Sequence, residues 1–554
     1  VSDGGGIPQH LRFRPNPDTD GAFERAEGVP IPVSAPDWDR ALELLRKINT
    51  LQDVSGKRVS TILVEEGFEP WWYGQDRLLR FYLVPLTQLF PLLQAVAGAR
   101  RLLVENAPPD LDRVLRAIEG KAGFPSLEGA QPRRAKGFLG QGALLLLSML
   151  SLAAFRILRR DTLLYIIDHV SPGLRLDFRF APLYAELERG GFRCAEYAHT
   201  LSPRQALKNF FRRRRPVFFL EAADFAASLA FRKPAAPAAE MRVDGSDSVE
   251  SRALKALVPT VLAGCAQSVA RQRVLKRALR FQRVRRAVIF DDNRHNHELV
   301  AACVASGIPV LGFQHGVFNQ FHAGLMAYGF SGARAHAFDR YGVWSGLFRD
   351  RLLRYTALYT PGQVFVAGPV RPPEASLAAP DRPKTDSASG GTIRVLVVSE
   401  PLARKREAAA YLQALLKDPR FELRLKIRPG ESAQSLEEYS LPADRVRLLQ
   451  TGTVYEAFAQ ADVAVGTYST VLYEAVLAGL PIVWMKTTRA YGRELVEERL
   501  AEAAEKPEDC PDAVIRAVAL PGTERDRRRK LLWGQEIRNG AVSLVQALRQ
   551  LETA

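Results

Sequence analysis

Cysteine is scarce in this chain. Four cysteines in 554 residues, Cys194, Cys265, Cys303 and Cys510, stand far apart. That excludes a disulfide framework and points to a reducing compartment. Acid is short relative to base: 61 Asp and Glu against 77 Lys and Arg leave a formal net charge of +16 and a pI near 9.8. A basic excess fits nucleic acid, an anionic membrane surface or a phosphorylated substrate. No zinc spacing, aromatic ribonucleoprotein pattern or basic zipper is present, so no nucleic-acid partner is expected. Also missing are a Walker loop, a GxSxG elbow and a GxGxxG opening a helix in the first domain, which counts against ATPases, serine hydrolases and dinucleotide dehydrogenases. The N-terminal stretch VSDGGGIPQHLRFRPNPDTDG has no apolar core of signal-peptide type, and residues 1–35 read as loose.

What is present is a globular composition, 47% hydrophobic and 25% charged, long enough for two or three domains. Residues 36–130 read as a small α/β domain that opens on a helix with Asp37 at its start. Its Trp71-Trp72-Tyr73 cluster is read as packing rather than as a binding platform. Gly137 to Phe155 is uncharged and flanked by arginines. It is expected to be a buried or interfacial helix rather than a span, within a segment 131–160. From Asp161 strands alternate with helices, which argues for a doubly wound parallel sheet over 161–370. A Pro/Ser/Gly-rich linker follows at 371–391, and a second such domain at 392–554. The four arginines 212–215 either meet an anionic surface or complement a helix C-terminus.

The chain is organised around Asp462 to Met485, DVAVGTYSTVLYEAVLAGLPIVWM. It reads as strand, polar turn, helix, turn, strand. The first N–H groups of that helix lack internal partners and favour an anion, and Ser469 and Thr470 add hydroxyls. Glu474 lies one helical turn beyond Thr470 on the same side, where a carboxylate can accept both hydroxyls of a ribose. The alternative is an ordinary βαβ unit with capping hydroxyls.

This pattern, Gly-x-x-Ser/Thr-x-x-x-Glu-Ala-x-x-x-Gly-x-Pro, resembles the donor-binding element of GT-B glycosyltransferases and the related CDP-glycerol and capsule-type transferases. The resemblance runs from about residue 160 to the end. It implies two Rossmann-like halves facing a cleft. Gly466, Thr467, Ser469, Thr470 and Glu474 then hold the diphosphate and ribose of a nucleotide-activated donor.

Gln314-His315-Gly316 ends the strand IPVLGF and resembles the QHG or WHG element of capsule transferases. There His315 serves as general base toward an acceptor hydroxyl or as hydrogen-bond donor to a phosphate, with Gln314 and Gly316 on the acceptor side. Lys426-Ile427-Arg428-Pro429-Gly430-Glu431 follows the strand FELRL. Alternation puts Lys426 and Arg428 on one face, where two cations can neutralise a leaving phosphate. Related transferases carry a histidine where Arg428 stands, and arginine keeps the phosphate role but not a proton-donating one. The alternative is an exposed strand end with solvated charges. Asp291 and Asp292 follow the strand AVIF and read as an acceptor pocket or base, or as a helix cap. His295, His297 and Glu298 lack HExxH spacing, so no metal is expected.

The sequence is thus read as a cytoplasmic transferase, peripheral at the inner face of a membrane and needing no cofactor. It moves a sugar from a nucleotide sugar to a surface glycan, in one form lipid-linked. Within the same fold the alternatives are a CDP-polyol phosphotransferase and a sugar-nucleotide 2-epimerase. A different class is a non-catalytic scaffold with a degenerate form of this fold.

Overall fold

The computed structural model describes residues 9–14, 22–25, 36–95, 102–105, 114, 138–167, 180–200, 206–207, 210, 215–230, 241–242, 248–290, 296–330, 337–370, 392–400, 405–428, 431, 433–487 and 491–553. Strands β1 (Gln9–Arg14), β2 (Ala22–Arg25) and β4 (Leu102–Glu105) form a small sheet, so two strands lie inside the segment read as loose. Strands β3 (Gln52–Asp53) and β8 (Met241–Arg242) pair separately.

Seven parallel strands make the first large sheet: β5 (Thr162–Ile167), β6 (Cys194–His199), β7 (Val217–Phe219), β9 (Arg286–Phe290), β10 (Val310–Phe313), β11 (Arg340–Val343) and β12 (Val364–Val366). Their order is β12-β11-β10-β9-β5-β6-β7. The second sheet holds six: β13 (Ile393–Val398), β14 (Phe421–Lys426), β15 (Val446–Leu449), β16 (Val463–Gly466), β17 (Ile482–Met485) and β18 (Glu502–Ala504). All pair in parallel, in the order β15-β14-β13-β16-β17-β18. Counted from its own first strand, each sheet runs 3-2-1-4-5-6, the doubly wound Rossmann order, and the first adds a seventh strand. Strands such as β9, β16 and β17 are buried at every position, which is why they read as continuous apolar runs rather than as alternation. The fold class expected from sequence, two Rossmann-like halves, is the one observed.

The N-terminal helices Trp38–Asn49, Trp71–Leu78 and Val84–Ala95 pack together, against the helix Val249–Arg280 and the aromatic side chains Phe321 and Phe330. Asp37 caps the first, accepting from the Arg40 N–H at 2.8 Å. Trp71, Trp72 and Tyr73 are buried, and the Trp71 indole donates to Asn49 Oδ1 at 2.8 Å. This group of helices also touches the second half. Tyr491 lies against Trp38 with ring centroids 5.1 Å apart, and Arg493 pairs with Asp39 at 3.3 Å.

The two halves share a packed seam. Trp344 stacks on Trp533 and Phe348 meets Tyr473. Arg351, 3% exposed, donates to the Glu498 carboxylate and to the Phe318 carbonyl. The last helix, Gly540–Thr553, comes from the second half of the sequence but packs on the first half of the fold. The Gly540 N–H donates to the Pro369 carbonyl at 3.0 Å, and Arg340 reaches Gln550 at 2.7 Å. All four cysteines are buried and free, and burial pushes the Cys194, Cys265 and Cys510 thiols up to about 12.

Among the described helices, Val249–Arg280 alone is long and apolar enough to cross a membrane by composition. It carries Arg271, buried and paired with Asp224 and Glu298, the setting of a core helix.

Candidate functional site

In an open parallel sheet, ligands settle beyond the carboxyl ends of strands where the strand order reverses. In the second sheet that point lies between β13 and β16, which are neighbours in space. Three segments end there: Ser399-Glu400 after β13, Lys426 to Arg428 after β14, and the turn Gly466 to Thr470 after β16.

The turn is held from both sides. Beneath it sits Glu400, 2% exposed. Its carboxylate accepts from three successive backbone N–H groups, those of Thr467 (3.0 Å), Tyr468 (3.1 Å) and Ser469 (2.8 Å), and from the Thr467 hydroxyl. A Cβ on Gly466 would lie 2.9 Å from Glu400 Oε1 and 3.2 Å from Leu472 Cδ1, so any larger residue would have to displace the carboxylate. Above the turn, Gly492 has a φ of +85°, and a Cβ on it would fall 1.8 Å from the Thr467 carbonyl oxygen. Burial raises the Glu400 carboxyl above its ordinary value, and the four donors only partly offset that.

Glu400 changes the reading of the helix start. The sequence sets Gly466, Thr467, Ser469 and Thr470 against a donor anion; in the structure the turn N–H groups of Thr467, Tyr468 and Ser469, just before the helix, go to a carboxylate of the same chain. The Ser469 hydroxyl caps the helix Thr470–Leu477, accepting from the Val471 N–H at 3.2 Å. That is the capping geometry of the alternative reading, an ordinary βαβ unit. Thr470 stands at the first helical position, half-exposed, and Glu474 is half-buried one turn along on the same side.

Across the cleft, Gln314 is 1% exposed and works on the loop rather than on a ligand. Its Nε2 donates to the Gly316 carbonyl at 2.9 Å, and its Oε1 accepts from the Trp344 N–H at 3.0 Å. The Trp344 indole donates to the Gln314 carbonyl at 3.0 Å. This network fixes the strand-end turn that carries His315, whose ring meets Phe290 edge-on at 4.8 Å. The turn comes close to the second half: a Cβ on Gly316 would lie 4.0 Å from Thr470 Oγ1. The histidine loop of one sheet and the helix start of the other thus face each other across the cleft.

Lys426 and Arg428 differ in burial. Lys426 ends β14, is 8% exposed, and its ammonium lies 3.3 Å from the Leu449 carbonyl and 3.2 Å from that of Thr451. The Ile427 N–H still reaches the Leu449 carbonyl at 3.4 Å, and Arg428 beyond it is exposed. The Arg428 N–H donates to Glu431 Oε2 at 2.9 Å, so Glu431 shapes this turn. Carbonyl partners leave the Lys426 charge uncancelled, and both cations add positive potential at the strand end.

Asp291, Asp292 and His295 lie outside the described residues. His297 and Glu298 turn into the core. The His297 ring stacks on Tyr73 at 3.7 Å, and Glu298 accepts from Arg271 at 2.7 Å and Ser268 at 2.8 Å. Sequence reasoning missed Glu400. Its one local signal is an acid at the end of an apolar strand, VLVVSE, immediately before Pro401.

No protein-family profile and no curated protein matches the chain. Among solved structures, the chain is similar to the calicheamicin glycosyltransferase at 15% identity, over 71% of this chain and 98% of that one, with a TM-score of 0.43. It is similar to MurG of Acinetobacter baumannii at 11% identity, over 70% and 99%, with a TM-score of 0.40. It is also similar to the UDP-GlcNAc 2-epimerase of Methanocaldococcus jannaschii bound to UDP-GlcNAc and UDP, at 12% identity over 71% and 100%, with a TM-score of 0.42.

Proposed function

We propose that this protein is a metal-independent glycosyltransferase that moves a sugar from a nucleotide sugar to a hydroxyl of a surface glycan, free or lipid-linked. The observation that carries the reading is the approach of Gly316, beside His315, to the Thr470 hydroxyl at the start of the switch-point helix. A donor held at that helix start presents its sugar to the histidine loop.

In this reading Thr470 and Arg428 receive the diphosphate, with Lys426 supplying field from behind. Glu474 accepts the ribose hydroxyls. His315 takes the proton of the acceptor hydroxyl as its oxygen attacks the anomeric carbon, and the bond from that carbon to the diphosphate breaks. The leaving nucleotide departs with its charge met by Arg428 and the helix dipole. Because these groups balance the diphosphate, turnover is expected to be unchanged by a chelator. A loss restored by added magnesium would replace this part of the reading.

Purified protein screened against UDP, GDP, CDP and CMP by thermal shift, then assayed for transfer with the corresponding sugar nucleotides, tests the whole. Transfer to a glycan acceptor supports it. Consumption of the sugar nucleotide without acceptor identifies an epimerase, and transfer of a polyol phosphate identifies the CDP-polyol activity. No shift with any nucleotide identifies a scaffold.

Glu474→Ala should weaken donor binding tens-fold with the fold intact, because hydrogen bonds to a charged carboxylate contribute roughly 1.5–3 kcal/mol. Unchanged affinity by calorimetry would remove Glu474 from the site.

A further inference from the structure

The helix Phe138–Ile157 has two faces. Leu144, Ser148, Ser151 and Phe155 point inward and are at most 4% exposed. The Ser148 hydroxyl accepts from the Phe219 N–H at 3.1 Å, which ties the helix to β7 at the edge of the first sheet. A helix anchored in this way is part of the domain and is not available to span a bilayer.

The other face is bare. Leu146, Met149, Leu150 and Ile157 are 62%, 61%, 59% and 78% exposed. Their spacing of three, four and seven places them on one stripe. Leu229, 63% exposed, lies on the helix Leu220–Ala230, which packs alongside. Soluble surfaces rarely carry a contiguous apolar stripe of this kind without a partner.

Charge decides the kind of partner. Arg156 and Arg159 are exposed at the end of the stripe, and the helix carries no acidic residue. Two copies meeting through this helix would find no acid on it to pair with those arginines. An anionic lipid surface supplies what is missing, with acyl chains for the leucines and phosphates for the guanidinium groups.

We infer that the exposed face of the 138–157 helix, with Arg156 and Arg159, docks the protein peripherally on an anionic membrane surface. The helix lies in the plane of the headgroups. The face belongs to the same half of the molecule as His315. The inference stands on burial and charge alone and does not depend on the transferase reading.

Co-flotation of the full chain with vesicles tests it. The wild-type protein should float with vesicles containing phosphatidylglycerol, not with pure phosphatidylcholine, and should be released by high salt. The variant L146S/M149S/L150S changes only exposed side chains, so its circular dichroism should match the wild type while its partitioning falls roughly tenfold or more. R156E/R159E should show a similar fall on anionic vesicles. Flotation unaffected by both variants, equal binding to neutral vesicles, or retention after a carbonate wash would each overturn the inference. So would a concentration-dependent dimer that the serine variant abolishes without any flotation of the wild type, since the occupant would then be a second copy.

Discussion

Replacing His315 by alanine is expected to lower turnover about a hundred- to ten-thousand-fold and to leave donor affinity nearly unchanged. The imidazole sits on the turn that Gln314 fixes through Gly316 and Trp344. It belongs to the half of the molecule opposite the switch-point helix, so its loss removes a proton acceptor without touching the groups proposed to hold the nucleotide. Arg428 gives the contrasting result. It faces charge that is partly present before reaction, so Arg428→Ala should weaken both donor binding and turnover. Arg428→Lys should restore only part, because a point charge replaces a planar fork. Steady-state kinetics combined with calorimetric donor titration separates the two. If His315→Ala abolished donor binding while Arg428→Ala was silent, the donor would occupy the other half of the cleft.

Glu400→Ala is expected to be the most destabilising single change at the site, at about 3 kcal/mol. It leaves three N–H groups, that of Thr467 buried and those of Tyr468 and Ser469 partly so, and a hydroxyl without an acceptor, each buried group costing about 1–3 kcal/mol before relaxation and entering water reduce the sum. The helix start should loosen with it, and nucleotide affinity should fall. Added formate or acetate should recover part of the stability by filling the vacated anion position, a readout that a generic packing defect would not show.

Glu400→Gln is expected to stay within about 1 kcal/mol of the wild type, since an amide oxygen keeps the main acceptor. The pH dependence follows from the direction of the shift. Burial raises the folded-state pKa of this carboxyl above its ordinary value. Its neutral form is therefore the better tolerated one, and stability is lost as pH rises from the unfolded-state pKa through the folded one. The Gln variant has no such titration. Wild type should lose ground to Glu400→Gln across that window and run parallel above it, in denaturant melts at stepped pH. A constant difference at every pH would mean that Glu400 keeps an ordinary pKa.

The sequence by itself determined the local units. Apolar runs bounded by Gly and Pro marked the buried parallel strands, and the alternation of strand and helix marked two doubly wound halves. Ser469 as a cap, Glu474 one turn beyond Thr470, and His315 at a strand end beside Gly316 were all legible, because each depends on residues a few positions apart. Tertiary structure decided what those units meet. Glu400 reaches the Thr467 N–H from 67 residues away because β13 and β16 are neighbours in the sheet, and strand order is not written in any local period. Gln314 turned from a ligand-side candidate into the brace of its own loop once β11 brought Trp344 beside it. Lys426 was drawn to the Leu449 and Thr451 carbonyls by the end of β15. In the 138–157 helix, composition showed only an uncharged run. The contact of Ser148 with Phe219 chose which face was buried, and so left Leu146, Met149 and Leu150 in solvent. Periodicity and capping are set by neighbours along the chain. The partner of a buried carboxylate or of an apolar face is set by packing between segments far apart in sequence.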